Sequence, residues 1–249
     1  MIRFKDIFGF FWGKALPDAF FQDACDVHCH ILPGVDDGFQ TEDASIEALR
    51  YCEGKGMRKV RLTPHFMKEY GDNTKETITS KFEEFKKKAE ASCGIELYLG
   101  AEYMLDASFP EHLKNGVLTI DREKSLVLCE TSYLMCAPDA SYMLYDVMLG
   151  GYTPVIAHPE RYQYASKMQY DTWKDTGYLF QLNLLSLMGA YGRSAMEKSH
   201  DMLEHGMYDF VGSDMHRLDS FRKLLSKMKL STKEIDALHL LYENNAKTF

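Results

Sequence analysis

Histidine and carboxylate side chains recur in this chain at the points where short apolar runs end. The runs are too short for helices, and most are bounded by polar residues or glycine, which is typical of buried strands. Seven of them lie at residues 24–28, 59–63, 96–100, 125–129, 154–157, 178–182 and 208–212. Six of the seven close on a histidine or a carboxylate. Any fold of this chain must therefore explain why such groups occur at equivalent strand ends.

Longer segments with helical periodicity separate the runs. Segment 41–52 begins with Thr, Glu and Asp, which suit a helix N-terminus, and segment 74–92 carries Phe82 and Phe85 on one face. Further helices are predicted at 139–149, 192–205, 219–228 and 232–244. This alternation predicts an α/β fold with parallel strands, either a closed barrel or an open doubly wound sheet. No G-x-G-x-x-G motif follows the first run, which disfavours the dinucleotide-binding form of the open sheet.

Length and composition narrow the class of protein further. No repeat, low-complexity tract or linker divides the 249 residues. Because the run ends that carry candidate ligands extend from residue 26 to residue 216 and must meet, we expect one domain over residues 1–249. The net charge of −8 disfavours a nucleic-acid partner. The six cysteines include no C-x-x-C pair, which predicts reduced thiols and a cytoplasmic location.

The aromatic N-terminus resembles a signal peptide only superficially. Its apolar run, residues 7–13, is short and is closed by Lys14 without a small-residue cleavage site. The longest later apolar stretch, residues 178–188, is too short to cross a bilayer. We therefore expect no integral membrane span, and we expect the first residues to pack on their own domain or to contact a partner.

The first run ends in the most specific local pattern, Asp26-Val-His28-Cys-His30. Side chains alternate between the two faces of a strand, so these three side chains point the same way. Two imidazoles separated by one residue are spaced to bind one metal ion. The following turn, residues 33–38, brings Asp36 and its neighbouring aspartate beside them.

Later run ends extend this set of potential ligands. In a parallel barrel the carboxyl ends of all strands face one mouth, where these side chains would converge. The chain supplies nine candidate metal ligands: His28, His30, Asp36, His65, Glu102, Glu130, His158, Asp214 and His216. Nine ligands exceed what one ion needs, so two or three carboxylate-bridged ions are expected. The mixture of imidazole and carboxylate suits Mn, Fe or Zn.

The order of these motifs resembles a known superfamily. D-x-H-x-H, PGVDDG, TPHF, G-x-E, a strand-terminal Glu, AHPERY and SDMH are similar to the motifs of the polymerase-and-histidinol-phosphatase (PHP) superfamily. Within it, HILPGVDDG and HPERY resemble the bacterial CpsB/CapC-type protein-tyrosine phosphatases. The resemblance runs from about Asp26 to His216, within a motif-bearing core of about residues 24–230. It implies a distorted, TIM-like α/β barrel of seven strands with a trinuclear metal site, often occupied by Mn.

The resemblance also implies roles for individual residues. Three ions would be held by His28, His30, Glu102 and Asp214, by Glu102, Glu130 and His158, and by Asp36, His65 and His216. Arg161 of HPERY matches a phosphate-binding arginine. A second such arginine follows the S-D-x-H motif, and here Arg217 and Arg222 are both candidates.

The chemistry of these residues and the resemblance agree on a mechanism. Bridging metals would lower the pKa of bound water toward about 7, and the resulting hydroxide would attack the phosphorus of a phosphotyrosine in a protein. The resemblance suggests a bacterial tyrosine kinase of polysaccharide export as that protein. The alternative is a PHP phosphoesterase for a small molecule such as histidinol phosphate. Tyr162 and Tyr164 would flank the phenyl ring or serve in packing, and the oligomeric state stays open.

One competing pattern points to a different chemistry. Cys52 and Arg58 satisfy C-x5-R, the pattern of cysteine-dependent tyrosine phosphatases. That mechanism needs a loop between a strand and a following helix, whose N-terminal amides bind phosphate and lower the thiol pKa. Here the predicted order is reversed, with Cys52 at the end of a helix, so the sequence disfavours the cysteine mechanism.

Overall fold

The computed structural model describes residues 13–121 and 123–249. The apolar residues 7–12, which we expected to pack on their own domain or to contact a partner, lie outside the described residues. The strands are β1 Lys14–Ala15, β2 Cys25–Cys29, β3 Lys59–Leu62, β4 His65–Phe66, β5 Glu96–Leu99, β6 Glu102–Met104, β7 Leu126–Glu130, β8 Thr153–Ala157, β9 Leu179–Asn183, β10 Phe210–Gly212 and β11 Lys229–Leu230.

Helices follow most of these strands, as the alternating pattern predicts. They are α1 Glu42–Gly54, α2 Lys75–Glu90, α3 Phe109–Lys114, α4 Ala140–Leu149, α5 Lys167–Thr176, α6 Arg193–Glu204, α7 Leu218–Leu225 and α8 Thr232–Thr248, with 3₁₀ turns at Lys68–Tyr70, Pro159–Arg161 and Leu184–Met188. Helix α1 begins where the sequence predicts, because the Thr41 side chain accepts a hydrogen bond from the backbone N–H of Ala44.

The parallel strands form two sheets, in the orders β2-β3-β5 and β10-β9-β8-β7-β6-β4. Two stretches of chain pass from one sheet into the other: β3 continues into β4 across Thr63 and Pro64, and β5 continues into β6 across Gly100 and Ala101. Proline has no N–H to donate, so Pro64 interrupts the hydrogen-bonded ladder. The expected single set of seven strands is therefore divided, although each of the seven predicted runs contains a strand.

The free edges of the two sheets approach each other between β2 and β10. The backbone N–H of Asp214 donates to the carbonyl of His28 at 2.8 Å, and the N–H of His30 donates to the carbonyl of Met215 at 3.1 Å. The parallel strands thus curl into a half-barrel, with helices packed on its outside. Because parallel strands run with their carboxyl ends at one side, the side chains that follow them share one mouth.

Apolar side chains fill both faces of the curled sheet. Val127 and Cys129 of β7 belong to the large buried cluster that includes the helices, whereas Leu126 and Leu128 belong to a smaller cluster with Phe249. This alternation is expected of parallel strands covered on both sides. No disulfide joins the six cysteines, all of which lie in the described part of the chain. Among the described residues, no helix is long and apolar enough to cross a membrane.

Candidate metal centre

Eight polar side chains converge at the mouth of the half-barrel, each carried by a strand end or the loop after it. They are His28, His30, Asp37, His65, Glu102, Glu130, Asp214 and His216, which form three overlapping groups of potential metal ligands. Within each group, one ligand atom from every member lies within 4.8 Å of the others. The structure therefore brings together residues that are up to 188 positions apart in the chain.

The first group is entirely buried and consists of His28, His30, Glu102 and Asp214. The Nε2 atoms of His28 and His30 lie 3.2 Å apart, and they lie 3.2 and 3.3 Å from Oε2 of Glu102. Asp214 completes the group, with Oδ1 placed 3.3 Å from Nε2 of His30. Four ligand atoms thus face one point, as a tetrahedral or partly hydrated octahedral ion requires.

Glu102 also belongs to a second group, with His65 and Glu130. Nδ1 of His65 lies 3.1 Å from Oε2 of Glu102 and 3.0 Å from Oε1 of Glu130. His158 approaches the same carboxylates, with its Nε2 2.9 Å from Oε1 of Glu102 and 3.8 Å from Oε2 of Glu130. A carboxylate with neighbours on both oxygens is suited to bridge two ions.

The third group contains Asp37 in place of the predicted Asp36. Oδ1 of Asp37 lies 3.3 Å from Nε2 of His216 and 3.5 Å from Nε2 of His65. Asp36 is turned away and fully engaged, since it accepts hydrogen bonds from Nδ1 of His30 at 2.8 Å and from the backbone N–H of His65 at 3.0 Å. This turn directs Asp37 rather than Asp36 toward the two histidines, and the sequence does not indicate which of the two acids points into the mouth.

Neighbouring side chains fix the orientation of the first two imidazoles. Nδ1 of His28 lies 2.8 Å from Oε1 of Gln181, and Nδ1 of His30 lies against Asp36. These contacts assign the Nδ1 proton, so that both Nε2 atoms are available to a metal. Asp26, the first residue of the D-x-H-x-H motif, accepts hydrogen bonds from the backbone and the hydroxyl of Ser213, which holds the Asp214 loop against β2.

The donor set fits divalent metal ions. Within residues 13–121 and 123–249, four buried carboxylate oxygens accept no hydrogen bond: Glu102 Oε2, Glu130 Oε1, Glu130 Oε2 and Asp214 Oδ1. A buried carboxylate oxygen without a donor costs free energy, and a coordinated cation would remove that cost. These oxygens lie among imidazole nitrogens, which is the mixed ligand set of Mn, Fe or Zn.

The carboxylates and imidazoles of the centre stabilise one another's charged forms. Burial opposes the charged form of His28, but the Glu102 and Asp214 carboxylates outweigh it and raise its pKa to about 9. Burial likewise opposes the charge of Glu102 and Asp214, yet the neighbouring imidazoles hold the pKa of both carboxyls well below the ordinary value. Metal ions would replace the protons on the imidazoles, since a metal binds the neutral ring.

Backbone strain accompanies two of these positions. His158 has a φ of 34° and Asp214 a φ of 48°, both in the left-handed region that non-glycine residues rarely occupy. Each lies close after a strand: His158 directly follows β8, and Asp214 lies two residues beyond the end of β10. Such conformations persist where the surrounding structure imposes them, which is common at functional sites.

Arg161 lies beside the metal centre in a cavity of about 420 Å³. Its Nη1 donates to Oδ2 of Asp214 at 2.8 Å. Although burial disfavours the charge, Asp214 raises the pKa of Arg161 above its ordinary value, so the guanidinium stays charged. Apolar side chains, including Leu185 and Phe221, line another part of the same cavity.

The two other predicted arginines have different surroundings. Arg217 lines the cavity, but Arg222 points away and donates to Oε1 of Glu47 at 3.1 Å, over the ring of Tyr51. Arg217 precedes helix α7 and Arg222 lies within it, five residues later. The sequence cannot distinguish the two arginines, because this spacing does not show which side chain faces the mouth.

The predicted ring-flanking tyrosines serve in packing instead. Tyr162 is fully buried and donates to the carbonyl of Ala157 at 2.9 Å, and Tyr164 stacks on it. Two other tyrosines, Tyr133 and Tyr191, line the cavity. The sequence does not single them out, because they lie in loops without a motif.

The C-x5-R pattern does not form a phosphate-binding loop. Cys52 lies near the end of α1, is buried, and has a pKa raised by desolvation, which opposes thiolate formation. Arg58 precedes β3 and donates to Asp23 at the surface. The order of elements is the reverse of that needed for the cysteine mechanism.

Comparison with known proteins gives a consistent result. The family model described as capsular polysaccharide synthesis, CpsB/CapC, matches residues 24–248. The tyrosine-protein phosphatase YwqE of Bacillus subtilis (strain 168) is 28% identical over 196 residues, covering 78% of this chain and 77% of YwqE. The tyrosine-protein phosphatase CpsB of Streptococcus pneumoniae is 28% identical over 205 residues, covering 78% of this chain and 84% of CpsB.

Solved structures show the same relationship. A chain from the crystal structures of YwqE from Bacillus subtilis and CpsB from Streptococcus pneumoniae, described as metal-dependent tyrosine phosphatases, matches with a TM-score of 0.71 and 26% identity. The match covers 88% of this chain and 94% of that one. A phosphotriesterase homology protein from Escherichia coli shares the fold at a TM-score of 0.56 and 14% identity, over 93% of this chain and 99% of that one. The resemblance noted in the sequence is confirmed: the chain belongs to the CpsB/CapC family of capsular polysaccharide synthesis proteins.

Proposed function

We propose that this chain is a metal-dependent phosphatase that removes phosphate from tyrosine side chains of proteins. The observation that carries this proposal is the position of a charged, largely buried arginine in a cavity that is also lined by members of the three overlapping groups of metal ligands. Cations and a guanidinium around one space are suited to bind a phosphoryl group and to offset the charge that develops on its oxygens. The names of YwqE and CpsB as tyrosine-protein phosphatases support the same substrate.

Two or three divalent ions would occupy the centre, with Mn preferred and Fe or Zn as alternatives. We assign one ion to His28, His30, Glu102 and Asp214, a second to Glu102, Glu130 and His158, and a third to Asp37, His65 and His216. When bound, such ions supply Lewis-acid polarisation of the phosphoryl group and activation of water for attack on phosphorus. The assignment of Asp37 rather than Asp36 is supported by its contacts with the two histidines.

The protein's own residues orient the substrate. Arg161 would bind phosphoryl oxygens through the guanidinium nitrogens not engaged with Asp214, and Arg217, which lines the same cavity, would supply a second positive charge. Leu185 and Phe221 would contact the phenyl ring, since they form part of the apolar lining. The bond of Arg222 to Glu47 supports Arg217 rather than Arg222 in this role.

We also propose that the half-barrel closes as a distorted seven-stranded barrel in a single domain over residues 1–249. Counting β3 with β4 and β5 with β6 reduces nine parallel strands to seven. The backbone bonds between β2 and the loop after β10 support closure at the remaining edge.

The biological substrate we propose is a phosphotyrosine protein of capsule or exopolysaccharide synthesis, with a bacterial tyrosine kinase of polysaccharide export as the leading candidate. The family match to capsular polysaccharide synthesis proteins supports this context. Such a kinase would present its phosphorylated segment in the cytoplasm, where we place the phosphatase.

Phosphate release from matched substrates tests the proposal. The Mn-loaded protein is expected to hydrolyse a phosphotyrosyl peptide and to hydrolyse a phosphoseryl peptide of the same sequence and histidinol phosphate far more slowly. A clear preference for histidinol phosphate would contradict the protein substrate and favour a small-molecule phosphoesterase.

Matched arginine variants test the assignment within the cavity. Arg161→Ala and Arg217→Ala should lower kcat/KM by about 100-fold and about 10-fold, whereas Arg222→Ala should leave it within about twofold. Equal losses for Arg217→Ala and Arg222→Ala would contradict the assignment.

A further inference from the structure

The guanidinium of Arg161 contacts two aromatic rings. Its Cζ atom is 4.2 Å from the ring centroid of Tyr133 and 4.0 Å from that of Tyr191. The two rings come from different loops, one after β7 and one after the 3₁₀ turn Leu184–Met188. Both distances are short for a cation over an aromatic face, where contacts extend to about 6 Å.

Further hydrogen bonds join Tyr191 to the metal centre and Tyr133 to the segment that carries Arg161. The hydroxyl of Tyr191 donates to Oδ2 of Asp214 at 3.2 Å, the same oxygen that accepts from Nη1 of Arg161. The carbonyl of Tyr133 accepts from the backbone N–H of Gln163 at 2.8 Å, two residues from Arg161. Each tyrosine is therefore held relative to the guanidinium by a second contact.

The contacts leave part of the guanidinium available. Over the described residues, Nη1 is the guanidinium nitrogen of Arg161 that donates a hydrogen bond to another side chain. Both rings contact the guanidinium, and Oδ2 of Asp214 accepts from its Nη1. Arg161 lines the cavity, so its other N–H groups remain available to a bound ligand there.

We propose that Tyr133 and Tyr191 are positioning residues that hold the guanidinium plane of Arg161 with its free N–H edge toward the phosphoryl group. This inference rests on the phosphate-binding role proposed for Arg161. An arginine side chain without restraining contacts samples many rotamers. It loses this conformational freedom when it makes a bidentate contact with phosphate. The two rings restrict the plane beforehand, so less conformational entropy is lost on binding.

Packing alone does not account for the position of Tyr133. Tyr133 is 38% exposed, so it contributes little to the core, yet its ring contacts the guanidinium of Arg161, whose side chain is only 11% exposed. Loss of this ring should therefore affect phosphate binding more than stability.

Calorimetric binding of inorganic phosphate to the Mn-loaded protein tests the inference. Tyr133→Leu and Tyr191→Leu should each weaken phosphate binding about tenfold, because each removes one of the two aromatic rings that contact the guanidinium of Arg161. Tyr133→Phe keeps the ring and should bind within about twofold of the wild type. Tyr142→Leu is the matched control, since Tyr142 is 74% exposed on α4 and outside the cavity lining. Bound Mn should be unchanged in all four variants.

A double-mutant cycle shows whether the tyrosines act through Arg161. In an Arg161→Ala background, Tyr133→Leu and Tyr191→Leu should have no further effect on phosphate binding. Additive losses, or a loss for Tyr133→Phe equal to that for Tyr133→Leu, would overturn the inference. If the wild type hydrolyses no phosphotyrosine but the cycle shows coupling, the proposed function fails and the positioning role stands. If it hydrolyses phosphotyrosine but the losses are additive, the positioning role alone fails.

Discussion

At the scale of single residues, the two carboxylate oxygens of Asp214 have different partners. Oδ2 accepts from Arg161, from Asn183 at 2.6 Å and from Tyr191. Oδ1 accepts no hydrogen bond and faces Nε2 of His30. One carboxylate thus links the residues that would bind phosphate to those that would bind metal, and its position affects both.

Asp36 and Asp37 are adjacent in sequence, but their substitutions should have different effects on metal content and on stability. Asp37→Ala should lower the number of bound Mn ions by about one and change the free energy of unfolding by less than about 0.5 kcal/mol, because this side chain is 58% exposed. Asp36→Asn should cost about 1–3 kcal/mol, because Asp36 is buried and accepts several hydrogen bonds. Metal analysis after dialysis and urea unfolding of the metal-free proteins measure both. Full metal content in Asp37→Ala would contradict the exchange of ligands.

At the scale of elements, the contact between β2 and β10 requires glycine. A Cβ at Gly212 would lie 2.6 Å from Cβ of His28 and 3.0 Å from Nε2 of Gln181. A methyl group there would separate the strands at the point where two metal-site residues are oriented.

Gly212→Ala should therefore destabilise the protein by about 2–3 kcal/mol and weaken Mn binding, because β10 must shift to accommodate the methyl group. Gly54→Ala is the matched control: nothing lies within 4 Å of its Cβ, and in helix α1 it should be neutral or stabilising by up to about 1 kcal/mol. Denaturant unfolding compares the two. Equal stabilities would show that the strands do not approach as described.

Helix α8 begins with a capping box that also contacts another helix. Glu234 accepts from the hydroxyl and backbone N–H of Ser231 and forms an ion pair with His200 of α6. Burial opposes its charge, but the hydrogen bonds from His200 and Ser231 outweigh it and lower its pKa from 4.5 to about 2. The stabilisation is therefore present above about pH 4.5 and is lost as the pH falls toward 2.

Glu234→Gln should cost about 2 kcal/mol at pH 7, and its cost should shrink as the pH falls from 4.5 toward 2. Glu243→Gln is the control on the same helix, because Glu243 is 61% exposed and its pair with Lys247 should contribute less than about 0.5 kcal/mol. Urea unfolding at several pH values measures both. A cost for Glu234→Gln that does not vary with pH would contradict the shifted pKa.

Periodicity predicts the longer elements of this fold and misses the shorter or less regular ones. Every predicted strand and helix is present, but α3 and α5 were not predicted. Phe109 alone marks the buried side of α3, and only Tyr170 and Trp173 mark that of α5. The two-residue β4 and three-residue β6 are too short to show a period. Their positions follow from the curl of the sheets, which depends on contacts distant in sequence.

At the scale of the whole molecule, the site is more predictable where it lies on strands than where it lies on loops. Eight of the nine predicted ligands meet at the mouth, because parallel strands deliver their carboxyl ends to one side. Asp36 differs because a turn can direct either of two adjacent carboxylates inward. Tyr133 and Tyr191 could not be predicted, since their loops meet only in the folded protein.

The net charge of −8 also has a different meaning in the folded molecule. The carboxylates of Asp37, Glu102, Glu130 and Asp214 are gathered at the metal centre, where bound cations would offset them. An acidic protein can therefore contain a cavity that attracts phosphate.

Removal and return of metal tests the central claim most directly. The protein stripped with a chelator and dialysed should release phosphate from a phosphotyrosyl peptide no faster than buffer, and added Mn should restore the wild-type rate. Asp214→Asn should not recover under the same conditions, and Cys52→Ser should recover fully. Activity that survives chelation and is abolished by a thiol alkylator would contradict a metal-dependent phosphatase.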